Sequence, residues 1–504
     1  MTQRRAGLRL AILTAFAVLL GTPVAYAGHR QVSIVEDDAR MVLGSDATRE
    51  QALDDVVVLG ADTVRAVVAW SRVAPSPTAH QRPAGFNGAE PYAYPSSYWD
   101  RYDGLVRGAA ARGLNVLLSP ASPIPYWASD CPSSAASTHN CRPDPTQFKR
   151  FVQALGRRYS GSYADENQGG GILPRVTMWS VWNEPNQGGW LQPQYASVRG
   201  KVVPRSPVIY RSLVRAAIRG LQASGHGRDD ILLGETAPLG RQTGDPRVRS
   251  IAPGAFLRAV LCLGADGKPL KGPAAAEIAC ANFGFLPVTG FSHHPYTRGG
   301  SQPPTSKGNA DEITISSGAR LRTIIRQAAD HHRVPPSLPV YYTEFGFQTN
   351  PPDSVFGVSL ANQARWINQS DWLAYNDSRV RSVAQYQLYD EPTLAGFQTG
   401  LRFLDGTEKP SYAAYRLPIW VSRTATGLNV WGQLRPASDH ALETIDIQNA
   451  PDGGVFSTVA QAVTTNTKGF INVRIPSMPG RWRLSWTPAK GGPAITSRVA
   501  KVGG

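Results

Sequence analysis

A closed barrel of eight parallel strands, each followed by a helix and the whole followed by a small antiparallel β-sandwich, is the fold class the sequence predicts. Three observations carry it. Eight short, near-continuous apolar runs recur between residues 33 and 392. Segments with apolar residues at helical spacing separate them. Near residue 417 the pattern changes to short strands bounded by glycine, proline or asparagine. Strands that are apolar throughout belong in a parallel sheet covered on both faces, and eight such units over this length favour closure. An open doubly wound sheet is the alternative, but no Gly-x-Gly-x-x-Gly turn supports it.

The strand candidates, in order, are "VSIVED", "TVRAVVAW", "NVLLSP", "VTMWSVWNEP", "DILLGET", "VTGFSHH", "PVYYTEF" and "VRSVAQYQLY". Between them "YDGLVRGAAARG", "TQFKRFVQALGRRY", "VIYRSLVRAAIRGLQASG" and "ARLRTIIRQAADHH" read as helices, several of them stopping at glycine. After "KPSYAAYRLPIWV" come "LNVWGQLRP", "ETIDIQNA", "FSTVAQAVTT", "GFINVRIPS", "GRWRLSWTP" and "ITSRVAKV", the pattern of a small sandwich. The division is therefore a barrel over 28–416 and an accessory sandwich over 417–504.

Residues 1–27 read as an export signal: Arg4, Arg5 and Arg9 precede an apolar run from Leu10 to Leu20, and Ala25 to Ala27 offers a cleavage site. The run is too short to span a bilayer comfortably, and no later stretch does so. A secreted or extracytoplasmic location makes disulfides the expected state of the four cysteines, paired locally as Cys131 with Cys141 and Cys262 with Cys280. No close C-x-x-C spacing suggests a metal site. The net charge of +15 is spread along the chain without a dense basic run, which argues against nucleic acid and allows attraction to an anionic glycan or cell envelope.

Reacting groups of such a barrel sit where strands end. Glu184, in "VTMWSVWNEPNQGGW", ends the fourth strand, and Glu344, in "YYTEFGF", ends the seventh. Pro185 is expected to keep Glu184 extended. Crowding by Trp179, Trp182 and Trp190 is expected to raise its pKa, while hydrogen bonds keep Glu344 ionised. Two unlike carboxylates across a cleft suit glycoside hydrolysis: one holds a proton for the leaving oxygen and the other attacks the anomeric carbon.

The motifs "WNEPN" and "TEFGF", 160 residues apart from Glu184 to Glu344, resemble the two catalytic motifs of glycoside hydrolase clan A, with leanings to families five and thirty-nine. The resemblance covers roughly residues 33 to 416. It implies a retaining (β/α)₈ enzyme without cofactor, Glu184 as acid/base, Glu344 as nucleophile and Asn183 bonded to the sugar's 2-hydroxyl. It further implies Arg65 near the nucleophile, and His294 and Tyr296, from "SHHPYT", around the sugar, with His293 as the alternative register to His294. Where the clan has a tryptophan after strand eight, this chain has Tyr386, Tyr389 and Asp390.

Glu235, ending strand five, is a candidate substrate contact or salt-bridge partner, and Trp182 and Tyr389 are candidate sugar contacts. Asp37 and Asp38, ending strand one, read as a solvated or capping pair. The function these expectations describe is hydrolysis of a polysaccharide or oligosaccharide by a monomer. A transglycosylase and a non-catalytic carbohydrate-binding barrel are the rivals. In the sandwich, Trp431, Trp482 and Trp486 read as core or as contacts to the barrel before glycan binders.

Overall fold

The computed structural model describes residues 30–134, 138–167, 170–298, 301–437, 441–489 and 491–503. The expected leader, residues 1–27, lies outside the described residues. Eight parallel strands close into a barrel in sequential order. They are β1 (Val32–Glu36), β2 (Thr63–Ala69), β3 (Asn115–Ala121), β4 (Met178–Val181), β5 (Asp230–Thr236), β6 (Gly290–His293), β7 (Val340–Tyr342) and β8 (Val380–Tyr386). Seven fall within the expected runs, and β3 extends one residue past "NVLLSP", to Ala121. Val32 of β1 pairs with Ser382 of β8, which shuts the ring.

The principal helices after successive strands are α1 (Asp46–Leu59), α2 (Asp100–Ala111), α3 (Pro145–Arg158), α4 (Ser206–Ala223), α5 (Pro253–Val260), α6 (Gly318–Asp330), α7 (Leu360–Tyr375) and α8 (Pro410–Arg416). Local chemistry starts them. In α3, Asp144 accepts from the amides of Thr146 and Gln147, and Pro145 occupies the first turn, where its missing N–H costs nothing. Its buried face carries Phe148, Phe151, Val152 and Leu155.

Inside the barrel, Ile34, Leu117, Leu232 and Tyr341 come from the four odd-numbered strands and form an apolar floor. Two residues further along the same strands the inward positions turn polar, to Glu36, Ser119 and Thr343. On β5 simple alternation would point Gly234 inward. A register shift between Gly234 and Thr236 brings in Glu235 instead. Gly234 has φ 132°, and a Cβ there would meet the Ser292 carbonyl oxygen at 2.1 Å, so this bulge requires glycine.

The C-terminal part forms two antiparallel sheets. One is β9 (Ile419–Arg423), β10 (Leu428–Gln433) and β13 (Phe470–Ile475); the other is β12 (Ser457–Val463), β11 (Thr444–Ala450), β14 (Arg481–Trp486) and β15 (Ile495–Thr496). They share one core that includes Ile419, Val430, Ile447, Ile471, Trp482 and Leu484. Strand β9 falls partly in "LPIWV", where the sequence reading had no strand.

The sheets dock on the barrel through aromatic rings. Trp372 stacks on Trp420 at 5.6 Å, and Tyr375 meets Trp431 and Phe470 at 5.6 and 5.1 Å. Gly60, at the C-terminus of α1, has φ 73°, and its backbone approaches Arg435 so closely that a Cβ would lie 2.2 Å from the Arg435 carbonyl carbon. Trp431 is thus a docking residue and Trp482 a core residue, while Trp486 donates its indole N–H to Glu443. Cys131 is bonded to Cys141 and Cys262 to Cys280, the expected pairs.

Candidate active site

The C-terminal ends of the strands surround a cavity of about 570 Å³. Glu36, Asp38, Asn183, Glu184, Tyr296, Glu344 and Tyr386 line its inner part; Arg72, Gln187, Trp190, Phe356 and Phe397 are among the residues that complete the wall.

At its base lies Arg65, inward-facing on β2 and without open surface. Its Nε and Nη2 donate to the two carboxylate oxygens of Glu235 at 2.9 and 2.7 Å. Nη2 also donates to Asn183 Oδ1 at 2.6 Å, which leaves Nδ2 as that amide's remaining donor. Nη1 pairs with Glu36 and lies 3.5 Å from Glu344 Oε2. One planar fork thus fixes residues from β1, β5 and the ends of β4 and β7.

Glu184 and Glu344 face each other. One oxygen of each, together with a nitrogen of His294, forms a group whose atoms all lie within 4.8 Å of one another. His294 Nδ1 stands between the two carboxylates, 3.1 Å from Glu184 Oε1 and 3.4 Å from Glu344 Oε2. This settles the register: His293 turns away, bound to Thr236 Oγ1 and the Ile313 carbonyl oxygen. Tyr296 donates its hydroxyl to Glu344 Oε1 at 2.8 Å.

The two carboxylates have different surroundings. Burial raises the pKa of Glu184 to about 7, against the pull of Arg65 and with a further push from Glu235. Its side chain keeps 19 % of its surface open into the cavity, enough to exchange a proton with a bound molecule. Burial also raises Glu344, opposed in turn by His294, Arg65 and the Tyr296 hydroxyl. More contacts favour the ionised form of Glu344 than that of Glu184. Burial would raise Glu235 as well, but the charge and hydrogen bonds of Arg65 hold it below the usual range.

Several expectations need correction. Glu184 is not extended: Pro185 excludes the right-handed helical region, and the residue takes φ 37° instead. Trp182 is not a sugar contact, for its ring is fully buried against Phe148 at 5.4 Å. Trp179 packs on His226 at 4.9 Å, so of the three tryptophans only Trp190 reaches the cavity. Tyr389 points elsewhere: it donates to Asp55 Oδ2 at 2.7 Å, with the Arg40 guanidinium 3.4 Å over its ring. Tyr386 takes the place on the wall.

Glu235 and Arg65 are buried beneath the cavity and position other groups without facing it. Asp37 does cap the short helix Asp38–Met41, but Asp38 does not share that work. It lines the cavity, accepts from the Val67 amide at 3.2 Å and is raised to about 7, chiefly by burial. Glu36, which sequence reasoning did not single out, lies two positions beyond the floor residue Ile34. The strand alternation that places Ile34 inward was the signal for it.

No protein-family profile and no curated protein matches the chain. Solved structures similar to it include the FMN-binding beta-glucuronidase from Facaelibacterium prausnitzii L2-6, at 12% identity over 93% of this chain and 56% of that one, TM-score 0.40. The hyperthermophilic beta-glucosidase from Pyrococcus furiosus is similar at 14% identity over 77% and 94%, TM-score 0.45. The family 1 b-glucosidase from Thermotoga maritima is similar at 13% over 73% and 84%, TM-score 0.41. The chain spans about half the length of the first of these. Among the described residues, no helix is long and apolar enough to cross a membrane.

Proposed function

We propose that the chain is a retaining O-glycoside hydrolase acting by double displacement, with Glu184 as acid/base and Glu344 as nucleophile. The observation that carries this reading is that the two carboxylates converge across one cavity, one oxygen of each lying within 4.8 Å of the other. Such convergence supports the close pair of a retaining glycosidase, whose carboxyl groups stand roughly 5–5.5 Å apart, over the about 6.5–9.5 Å spacing of an inverting one. The resemblance of "WNEPN" and "TEFGF" to clan A, with leanings to families five and thirty-nine, supports the same roles.

In the first step Glu344 attacks the anomeric carbon and Glu184 gives its proton to the departing oxygen, leaving a glycosyl ester on Glu344. Forming the ester removes a negative charge facing Glu184, so Glu184 becomes the stronger acid and sheds its next proton more readily. Once ionised it takes a proton from water, whose oxygen attacks the anomeric carbon and breaks the ester. Asn183, held by Arg65, offers Nδ2 to the sugar, and Tyr296 holds the nucleophile in place. A non-catalytic barrel would need neither this pair nor its unequal environments. Transglycosylation uses the same residues and differs in the acceptor.

The remaining assignments belong to the same reading. They are a leader over 1–27, a catalytic barrel over 28–416, an accessory unit over 417–504, export with both disulfides formed, and a monomer whose basic surface favours an anionic envelope or glycan.

A panel of 4-nitrophenyl glycosides identifies the sugar. On the best of them Glu344→Gln should lose at least about 10³-fold in kcat, because the nucleophile is gone. Glu184→Ala should accumulate the glycosyl-enzyme and be rescued by azide, which needs no deprotonation, to a glycosyl azide of retained configuration. Normal turnover in Glu344→Gln, or no rescue in Glu184→Ala, would overturn the two roles.

A further inference from the structure

Charge is unevenly distributed on the wall of the cavity. Its carboxylates are Glu36, Asp38, Glu184 and Glu344, and its one cationic side chain among the described residues is Arg72. Arg65 is no second cation for a bound molecule. It lies beneath the cavity with its donors engaged by Glu36, Asn183, Glu235 and Glu344. Arg72 stands in the short helix Trp70–Val73 that follows β2. It is exposed, and among the described residues it makes no ion pair and no hydrogen bond. A guanidinium that lines this cavity and bonds none of its carboxylates keeps all five N–H donors for something else.

Hydrogen bonds join the loops after β2, β3 and β4 into one wall. The Ser71 amide donates to the Pro123 carbonyl oxygen at 2.8 Å, and the Ser122 hydroxyl to that of Trp190 at 2.9 Å. Ser122, Pro123, Gln187 and Trp190 line the cavity with Arg72. Gln187 Oε1 accepts the Ser250 hydroxyl, which leaves Nε2 as a further donor. These three loops contribute no carboxylate to the cavity except Glu184, at the root of the third. In a double displacement the nucleophile and the departing oxygen lie on opposite faces of the anomeric carbon, and the acid stands beside the departing oxygen. The departing unit therefore leaves on the side of Glu184, along the wall that carries Arg72.

We propose that Arg72 binds an oxyanion of the departing unit, and that the substrates are glycans in which the bond cut joins a sugar to a unit bearing a carboxylate or a phosphate. The inference rests on the retaining-glycosidase reading, because only that reading gives the cavity a departing unit. The planar fork of a guanidinium matches either group with two parallel N–H···O bonds. An uncharged unit leaves Arg72 hydrated and gains nothing from it.

The test uses three aryl glycosides of the sugar identified by the panel, with 4-carboxyphenyl, 4-phosphonophenyl and uncharged 4-carbamoylphenyl as leaving groups. The quantity read is kcat/KM for each anion divided by kcat/KM for the carbamoyl compound. Comparing that ratio between parent and variant cancels the intrinsic reactivity of the leaving groups. Arg72→Gln should lower it about tenfold for at least one anion, the size of a charge-assisted hydrogen-bonded contact. The anion with the larger fall names the group. Arg326→Gln, which removes an exposed charge from α6 away from the cavity lining, should keep the parent ratios.

Ratios that Arg72→Gln leaves unchanged for both anions overturn the inference and leave the glycosidase reading standing. An equal fall in Arg326→Gln would assign the effect to the overall charge of the protein and also overturn it. If no glycoside is turned over and no glycosyl-enzyme forms, both readings fall together.

Discussion

Two buried arginines invite comparison, Arg65 beneath the cavity of the barrel and Arg435 where the C-terminal sheets meet it. Arg435 has one carboxylate, Asp371, at 3.0 Å, and lies 4.1 Å over the ring of Tyr415, whose carbonyl oxygen it also bonds. One positive charge meets one negative charge. Arg65 contacts three carboxylates, Glu36, Glu235 and Glu344, and Glu184 and Asp38 line the same cavity. Five carboxylates around one guanidinium cannot all be ionised in a buried site. Burial, with repulsion from neighbouring carboxylates, accordingly pushes Glu36, Asp38 and Glu184 up. A matched pair fastens two parts of a fold. A surplus of carboxylates that share too few positive charges stores protons, and stored protons are what acid–base chemistry uses.

The sharpest way to break this comparison is to remove each arginine. Arg65→Met should lower kcat/KM by about 10³-fold or more, because Asn183, Glu235 and Glu344 lose their common anchor. Arg435→Met should keep kcat/KM within about threefold of the parent while lowering unfolding stability by about 3 kcal/mol, since it leaves Asp371 buried and unpaired. Kinetics on the aryl glycoside and urea unfolding measure both. Equal losses of activity in the two variants would erase the distinction.

A smaller effect sharpens it. In the proposed mechanism Glu184 carries its proton in the first step, so kcat/KM should fall as pH rises through about 7, its raised value. The same mechanism needs Glu344 ionised, so the rate should also fall on the acid side. In Glu184→Ala, with an activated aryl leaving group, the basic limb should vanish and the acid limb remain. A basic limb that survives in that variant would place the titrating proton elsewhere.

The smallest effect concerns Asp38. Its folded pKa is about 7 against an ordinary value near 4, so the folded state binds that proton more tightly than the unfolded state. The resulting stability is present below about pH 4 and is lost as pH rises towards 7. Asp38→Asn should therefore gain thermal stability relative to the parent across that window, on the order of 2 °C, followed by thermal scans at each pH. A difference that does not change with pH would mean that Asp38 is ionised throughout.

The fold was legible in the sequence because a parallel strand covered on both faces must be apolar throughout, and eight such runs leave few arrangements. The two glutamates were legible because their motifs resemble a known pair and sit at strand ends. The rest of the site depends on backbone detail that spacing does not encode. The bulge at Gly234 decides that Glu235 points inward under the cavity. The left-handed turn at Glu184 follows from Pro185 only by exclusion, since sterics forbid one region without choosing among the others. Trp182 and Trp190 look alike in the motif, yet one packs on Phe148 and the other reaches the cavity. Tyr386 ends β8, whereas Tyr389 lies three residues beyond it, where alternation no longer says which way a ring turns.

The placement of the C-terminal sheets has a consequence for how the ring stays shut. Strands β1 and β8 pair across most of the chain, and joining such distant segments carries the largest loop-closure cost in the barrel. The sheets hold both sides of that joint. Lys468 bonds Asp62 at 2.6 Å, and Asp62 in turn accepts from the amide of Ser33 in β1. Trp420 and Arg435 engage Trp372 and Asp371 of α7, the helix leading into β8. The later-made part of the chain therefore acts as a clasp across the place where the hoop meets itself. A chain ending at Leu417 would keep every stave and lose the buckle.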